Sequence, residues 1–244
     1  MLRQPGNGRG KVFLIGGGPG AADLVTLRAA RAITASDIVI WGRPLVTEEL
    51  VCEHSRPEAE IIAWPPATMA ELEAAYDRAA AAGLSVARLH GGDPALYARL
   101  TEELQRVRMR GLEVEVIPGV TAACAAAAAL GWELTSEADR RPLVMACAQA
   151  PDGEPSTELG AAASGGYAVA LYMVRGVGNE LQRALLDGGY PPGTPCAIGN
   201  RVSWPGEVLD KCSLAQLSER LEVLGVDGST VVLVAPRTAG EVDH

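Results

Sequence analysis

Three short turns rich in glycine and proline hold the residues of this chain that are best suited to binding a small ligand. They read GGGPG at 16–20, GGDP at 91–94 and PGVTAA at 118–123. Glycine lets the backbone approach a ligand closely and adopts dihedral angles that other residues resist. Asp93 could accept hydrogen bonds from ribose hydroxyls, an amino group or backbone amides, and it could also cap a helix starting near Ala95. Thr121 offers a hydroxyl to a ligand or to the helix that follows.

The first turn resembles a dinucleotide-binding fingerprint, but its spacing departs from that motif. The last glycine of the GxGxxG pattern is replaced by Ala21, and Pro19 removes one backbone amide from any phosphate cradle. A nicotinamide-dependent oxidoreductase is therefore disfavoured. A structural turn and one edge of a binding cleft both remain possible for this segment.

Few residues are candidates for acid, base or nucleophile. The chain has no GxSxG elbow and no Ser/His/Asp order typical of a hydrolase. His90, directly before the second turn, could act as an acid or base, or it could simply pack or form a local hydrogen bond. The sequence therefore assigns no catalytic residue.

The elements that must position these turns alternate in the first half of the chain. Apolar β-like runs lie at 12–15, 38–41, 60–63, 86–89 and 114–117, with helical patterns at 24–35, 69–82 and 95–110. Strands alternating with helices of this length predict a mostly parallel sheet. Each turn follows a strand, and ligands of such sheets bind at that end of the strands.

The second half has a different pattern. We predict helices at 122–130, 177–187 and 214–224, strands at 143–148, 169–173, 196–198 and 231–234, and a surface loop at 150–166. The predicted organisation is a flexible N-terminus at 1–10, α/β domains at 11–118 and 119–238, and a tail at 239–244. The fold class is therefore α/β with two domains.

Composition limits the partners of this protein. The formal net charge of −9 disfavours binding to nucleic acid or to an anionic membrane. Five cysteines without a CxxC pair indicate scattered thiols, and three histidines are too few and too scattered for a zinc site, so we expect no metal. No basic-then-apolar leader opens the sequence, and we expect a cytoplasmic protein.

Taken together, the motifs resemble those of the tetrapyrrole methylase family. The stretches that carry the resemblance are VFLIGGGPGAADLVTLRAARAITASDIVIW, VARLHGGDPALYARL, LEVEVIPGVTAACAAAAALG and TVVLVAP. GWELT at 131–135, SWPGE at 203–207 and WGRPLV at 41–46 look like the precorrin-4 C-11 methyltransferases, including the cobalt-precorrin-4 form. Two stretches depart from that subgroup. The subgroup has Thr-Arg where this chain has MACAQ at 145–149, and it has a Pro-acidic-Gln segment where this chain has SEADRR at 136–141.

The resemblance implies two α/β domains with a cofactor cleft between them, S-adenosylmethionine as methyl donor and a homodimer. Carried over by position, the cofactor-binding residues are Pro19, Gly91, Gly92, Asp93, Leu96, Thr121, Ala122, Met173, Val202 and Val231. The acceptor carries several carboxylates, so arginines are expected around it, and the candidates are Arg43, Arg140, Arg175 and Arg201.

Other functions stay open beside methylation at carbon 11 of (cobalt-)precorrin-4. One is methylation of another corrinoid position or of a non-corrinoid acceptor. Another is a catalytically degenerate protein that binds cofactor or tetrapyrrole as a sensor or carrier, which the altered MACAQ and SEADRR stretches would fit.

Overall fold

Residues 10–137, 140–150, 156 and 159–234 are described in a computed structural model of the chain. The predicted tail at 239–244, positions 1–9 of the predicted flexible N-terminus and part of the SEADRR stretch lie outside the described residues. Gly10 is buried, and its carbonyl accepts a hydrogen bond from Glu113 N at 3.0 Å. The chain forms two compact units that divide between Thr121 and Ala122, within the third turn. The domain limits at 118/119 and 238 remain a prediction.

Unit 1 contains a five-stranded sheet in which every neighbouring pair is parallel. Its strands are β1 (Lys11–Gly16), β2 (Ile38–Gly42), β3 (Glu60–Trp64), β4 (Ser85–His90) and β5 (Glu113–Ile117), in the order β3-β2-β4-β1-β5. Its helices are α1 (Leu27–Thr34), α2 (Glu48–His54), α3 (Met69–Ala82) and α4 (Leu100–Met109). The mostly parallel sheet predicted for this half is confirmed.

The two faces of this sheet carry separate cores. Residues of α1 and α2, such as Ile33 and Leu50, pack with Ile15 and Leu89 on one face. Residues of α3 and α4 pack on the other face, where Tyr76 is among the largest fully buried side chains. Alternation along each strand therefore buries both faces, as expected for a parallel sheet.

Unit 2 has a mixed five-stranded sheet. Its strands are β6 (Leu143–Cys147), β7 (Ala168–Tyr172), β8 (Pro195–Asn200), β9 (Val208–Ser213) and β10 (Val231–Val234), in the order β6-β7-β10-β8-β9. Only the β6–β7 pair is parallel among these strands. The helices are α5 (Ala122–Leu130), α6 (Leu159–Ser164), α7 (Gly178–Asp187) and α8 (Leu217–Leu224). Helix α5 packs on one face of the sheet, and α6, α7 and α8 pack on the other.

Local sequence explains why α3 has the bounds that were predicted. The Thr68 hydroxyl accepts a hydrogen bond from Glu71 N at 3.3 Å, and the Glu71 carboxylate accepts one from Thr68 N at 2.7 Å. This capping box satisfies amides that the first helical turn leaves free. Gly83, with a φ of 69°, ends the helix in the left-handed region.

The predictions of other elements need correction. The helix predicted at 95–110 begins at Leu100, because residues 91–99 form an irregular segment in which Tyr97 and Arg99 have positive φ. The loop predicted at 150–166 contains α6, whose Leu159, Ala162 and Ala163 are buried. The sequence also gave no indication of α2 or β9. Within the described ranges, every helix is too short or too polar to span a lipid bilayer.

Candidate functional site

The three turns singled out in the sequence meet in unit 1, with backbone packed against backbone. A Cβ atom on Gly16 would lie 2.5 Å from Gly119 N and 2.6 Å from Gly92 O. A Cβ atom on Gly119 would lie 2.8 Å from Gly16 Cα and still closer to Gly92 O. Only glycine at these positions allows the carboxyl ends of β1, β4 and β5 to approach so closely.

Asp93 links two of these turns through its side chain. Its Oδ1 accepts a hydrogen bond from Ala95 N at 2.7 Å, and its Oδ2 accepts one from Gly119 N at 2.9 Å. The alternative of a helix cap near Ala95 is wrong, because α4 begins only at Leu100. Each carboxylate oxygen can accept a second hydrogen bond, so Asp93 remains able to bind a ligand hydroxyl or amino group.

The other predicted cofactor residues of unit 1 lie around this junction. Gly18 and Gly92 form an antiparallel bridge, with Gly92 N donating to Gly18 O at 2.7 Å, and Pro19 follows Gly18 and is buried. Leu96 N donates to Asp93 O at 3.1 Å. The Cα atom of Thr121 lies 3.7 Å from where a Cβ on Gly92 would stand.

Gly91 packs so closely against Leu45 that there is no room for a side chain at position 91. A Cβ atom at this position would lie 2.6 Å from Leu45 Cβ, so a larger residue would displace the segment after β2. The tertiary structure thus brings together all six residues predicted in unit 1: Pro19, Gly91, Gly92, Asp93, Leu96 and Thr121.

In unit 2, Met173 follows β7 in a strained conformation and remains 42% exposed. Its φ is 56°, in the left-handed region that a non-glycine residue seldom adopts. The Cys147 thiol donates to Met173 Sδ at 3.3 Å, and Gln149 Nε2 donates to Arg175 O at 2.7 Å. Two residues of the unusual MACAQ stretch therefore hold the segment that carries Met173 and Arg175.

Val202 and Val231 lie in the core of unit 2. Their exposed fractions are 2% and 0%, and Ala122 packs against the same cluster. A Cβ atom on Gly199 would lie 2.8 Å from Val202 Cγ2 and 3.3 Å from Val231 Cγ1. These two side chains already have packing partners, and their role as walls around a cofactor stays a prediction.

The four predicted substrate arginines are exposed at strand ends or in loops. The guanidinium of Arg43 lies 5.8 Å from the Trp41 ring centroid, and that of Arg201 lies 5.6 Å from the Trp204 ring centroid. Arg140 and Arg201 have positive φ values of 48° and 54°. Within the described part of the chain, none of the four forms an ion pair, so their charge is available to an anionic ligand.

Two nitrogen atoms near the ends of adjacent strands are buried without a hydrogen-bond partner among the described residues. They are Trp41 Nε1 and His90 Nε2. Burial and the nearby Arg88 guanidinium lower the pKa of His90 to about 3, so its imidazole is neutral at physiological pH. The sequence had placed His90 beside the second turn but could not show that this nitrogen lacks a partner.

Arg88 is a site residue that sequence reasoning missed, because an arginine within an apolar strand gives no pattern of its own. It is 5% exposed, and its Nε donates to Glu103 Oε1 at 3.5 Å. Tyr76 OH donates to Glu103 Oε2 at 3.3 Å. Over the described ranges, no group of three or more His, Cys, Asp and Glu side chains could hold a metal ion.

The chain is similar along most of its length to methyltransferases that act on tetrapyrroles. The family model for tetrapyrrole (corrin/porphyrin) methylases matches residues 11–218. The precorrin-4 C(11)-methyltransferase of Rhodococcus erythropolis is 34% identical over 236 residues, which cover 94% of this chain and 92% of that protein.

Solved structures agree with this similarity. A cobalamin biosynthetic enzyme, cobalt-precorrin-4 methyltransferase, matches with a TM-score of 0.86 at 25% identity, covering 96% of this chain and 97% of that one. The uroporphyrin-III C-methyltransferase of Thermus thermophilus, complexed with S-adenosylhomocysteine, matches with a TM-score of 0.74 at 25% identity, covering 92% and 97% of the two chains. The predicted fold class, with two α/β domains, is confirmed.

Proposed function

The chain belongs to the tetrapyrrole (corrin/porphyrin) methylase family, and from this premise we propose that it is an S-adenosylmethionine-dependent C-methyltransferase of cobalamin biosynthesis. The proposed acceptor is a precorrin-type tetrapyrrole, methylated at carbon 11 of precorrin-4 or cobalt-precorrin-4. The observation that carries this proposal is the match to a precorrin-4 C(11)-methyltransferase at 34% identity over 94% of the chain.

The glycine turns of unit 1 fit a cofactor that is bound largely by backbone groups. Gly91 and Gly92 present peptide groups without side chains, and the 64° φ of Gly92 is a conformation suited to glycine. Asp93 holds these peptides in place through Gly119 and can still accept from a ribose hydroxyl or an amino group. We assign Pro19, Leu96 and Thr121 to the same binding surface.

In unit 2 we assign Met173 as the exposed apolar contact for the adenine ring or the methionine chain. Its thioether is held by Cys147, and its strained backbone turns the residue out of β7. The inner wall of this part of the pocket would be formed by Ala122, Val202 and Val231, because these residues pack in the core cluster of unit 2.

When bound, S-adenosylmethionine supplies a methyl carbon activated by a sulfonium sulfur. The carbon–sulfur bond breaks in line as the bond to the acceptor carbon forms, so the protein must align two reactants and exclude water. Much of the rate can come from this positioning alone. His90 is disfavoured as a general base because an imidazole with a pKa of about 3 is a weak proton acceptor at neutral pH.

The acceptor's carboxylates require cations, and we assign Arg43, Arg140, Arg175 and Arg201 to that role. All four side chains are exposed, and a guanidinium pairs with a carboxylate through two parallel hydrogen bonds. We further infer a cytoplasmic homodimer, on the basis of the family resemblance. Light scattering on the purified protein measures the oligomeric state.

Calorimetry with S-adenosylhomocysteine tests the cofactor assignment. We expect saturable binding to the native chain and loss of binding in Asp93→Ala, with thermal melting used to confirm that the variant remains folded. Absence of binding to the native protein would overturn the proposed function.

Single-turnover assays with a panel of precorrins then test the acceptor. Methylation of precorrin-4 or cobalt-precorrin-4 at carbon 11 supports the proposal, and methylation of another compound in the panel identifies a different acceptor. Cofactor binding without any methyl transfer would indicate a degenerate sensor or carrier.

A further inference from the structure

The ends of β2 and β4 in unit 1 form a topological switch point. The chain leaves β2 for α2, which packs on one face of the sheet, and leaves β4 for α4, which packs on the opposite face. These strands are neighbours in the sheet. The connections that lead to α2 and α4 therefore turn toward opposite faces just beyond the carboxyl ends of the two strands. Ligands of open α/β sheets bind in crevices of this kind.

An open position lies at this switch point. Gly42 ends β2, and among the described residues other than its two chain neighbours no atom comes within 4 Å of where its Cβ would stand. Ile40, two residues earlier, packs in the core beneath α3 and α4. Because side chains alternate along a strand, the empty Gly42 position belongs to that same face.

Polar side chains on both sides border this position. Trp64 ends the neighbouring strand β3 in register with Gly42, and Arg88 on β4 places its guanidinium 5.5 Å from the Trp64 ring centroid. Arg88 thus reaches from β4 across β2 to β3. His90, two residues after Arg88, has its side chain on the same face.

Arg88 lies at the base of this position, where its guanidinium forms a buried ion pair with Glu103. It is 5% exposed, and its side chain is held by Glu103 Oε1 at 3.5 Å and by the carbonyl oxygen of Leu89 at 3.4 Å. Both contacts are at the long end of the hydrogen-bond range. An additional anionic partner on the open side would therefore be favourable.

His90 provides a hydrogen-bonding atom that the described residues do not use. Its Nε2 is shielded from solvent and has no partner there. Buried polar atoms in folded proteins nearly always have a partner, so an exception calls for a missing ligand or water. Burial and Arg88 depress the pKa of His90, which leaves the imidazole neutral and able to donate one N–H.

We propose that the position above Gly42 is a carboxylate subsite, in which His90 Nε2–H donates a hydrogen bond and Arg88 supplies the positive charge. The inference rests on the proposed function, because the acceptor and the methionine part of the cofactor both carry carboxylates. The shared chemistry is a carboxylate oxygen, and the experiment separates its two sources.

Nuclear magnetic resonance of ¹⁵N-histidine-labelled protein follows the His90 imidazole directly. The probes are S-adenosylhomocysteine and uroporphyrin III, a tetrapyrrole with carboxylate arms. The variants His54→Gln and His244→Gln assign the signals of the other two histidines. We expect one probe to shift the His90 Nε2 resonance, and the probe that does so identifies the source of the carboxylate. Binding of both probes without any response at His90 would overturn the subsite alone, whereas binding of neither would overturn the proposed function and the subsite with it.

Matched variants measure the contribution of the subsite by calorimetry. His90→Leu should weaken binding of the responding probe by roughly tenfold to a hundredfold, because it removes a hydrogen bond to a charged group. His90→Gln keeps an N–H donor and should restore part of that affinity. Gly42→Leu fills the open position and should weaken the same probe while leaving the melting temperature nearly unchanged. Native affinity in both His90→Leu and Gly42→Leu would contradict the proposal.

Discussion

The carboxylate of Asp93 joins the second glycine turn to the third, because its Oδ2 accepts a hydrogen bond from Gly119 N at 2.9 Å. The other oxygen accepts from Ala95 N at 2.7 Å. Asp93→Asn replaces one acceptor by an amide donor, and we expect it to lower the free energy of unfolding by about 1–3 kcal/mol. Urea denaturation measures the change. Asp23→Asn, at an exposed position, is the control, and an equal effect of both substitutions would contradict this role.

Backbone packing makes Gly119 intolerant of any side chain. Its Cβ would lie 2.8 Å from Gly16 Cα, so Gly119→Ala must push two turns apart. We expect a loss of at least ~2 kcal/mol in the free energy of unfolding. Gly193→Ala provides the comparison and should change stability little, because no described residue beyond its two chain neighbours lies within 4 Å of its Cβ position. Similar unfolding midpoints for the two variants would refute the close approach.

Glycine and alanine at position 173 should differ in stability but should both weaken cofactor binding. Since its φ is 56°, Met173→Gly relieves backbone strain that Met173→Ala retains, and both variants lose the contact with Cys147. We expect the glycine variant to be more stable than the alanine variant by about 1 kcal/mol. Both should bind S-adenosylhomocysteine more weakly than the native chain. Thermal melts and calorimetry test the two parts, and unchanged affinity in both variants would remove Met173 from the cofactor site.

Charge reversal tests the substrate arginines. Arg175→Glu or Arg201→Glu should weaken binding of uroporphyrin III by roughly tenfold or more, because an attractive pair becomes repulsive. Binding of S-adenosylhomocysteine should be spared. Arg108→Glu changes the same charge at an exposed position of α4 and should have little effect. Fluorescence titration measures the tetrapyrrole affinity, and equal affinities in all three variants would exclude this assignment.

His90 should make folding stability depend on pH. Its folded pKa of about 3 lies below the ordinary value of 6.5, so the unfolded chain binds more protons between these values. The free energy of unfolding should therefore fall as pH drops from 6.5 toward 3, by up to about 1.4 kcal/mol per pH unit from this group. His90→Leu should remove that contribution. Urea denaturation across this range, with His54→Gln as control, measures it, and parallel curves for native and His90→Leu proteins would contradict it.

Much of unit 1 was predictable because its signals are local. The strands at 38–41 and 60–63 were predicted within one residue of β2 and β3, and α3 has the predicted bounds. Apolar alternation, a capping box and a terminal glycine act over a few neighbouring residues. Helix α4 was predicted too long because Asp93, Tyr97 and Arg99 impose turns that an apolar pattern does not reveal.

The sequence by itself determined the α/β class, the three glycine turns and the family, because each depends on residue types at short, fixed spacings. Only the tertiary structure decided that Gly16, Gly92 and Gly119 touch, and that Asp93 connects the last two turns. It likewise placed Arg88 against Trp64 and left His90 Nε2 without a partner in the described chain. Such contacts join strands far apart in sequence, and they depend on strand order and register, which no local pattern encodes.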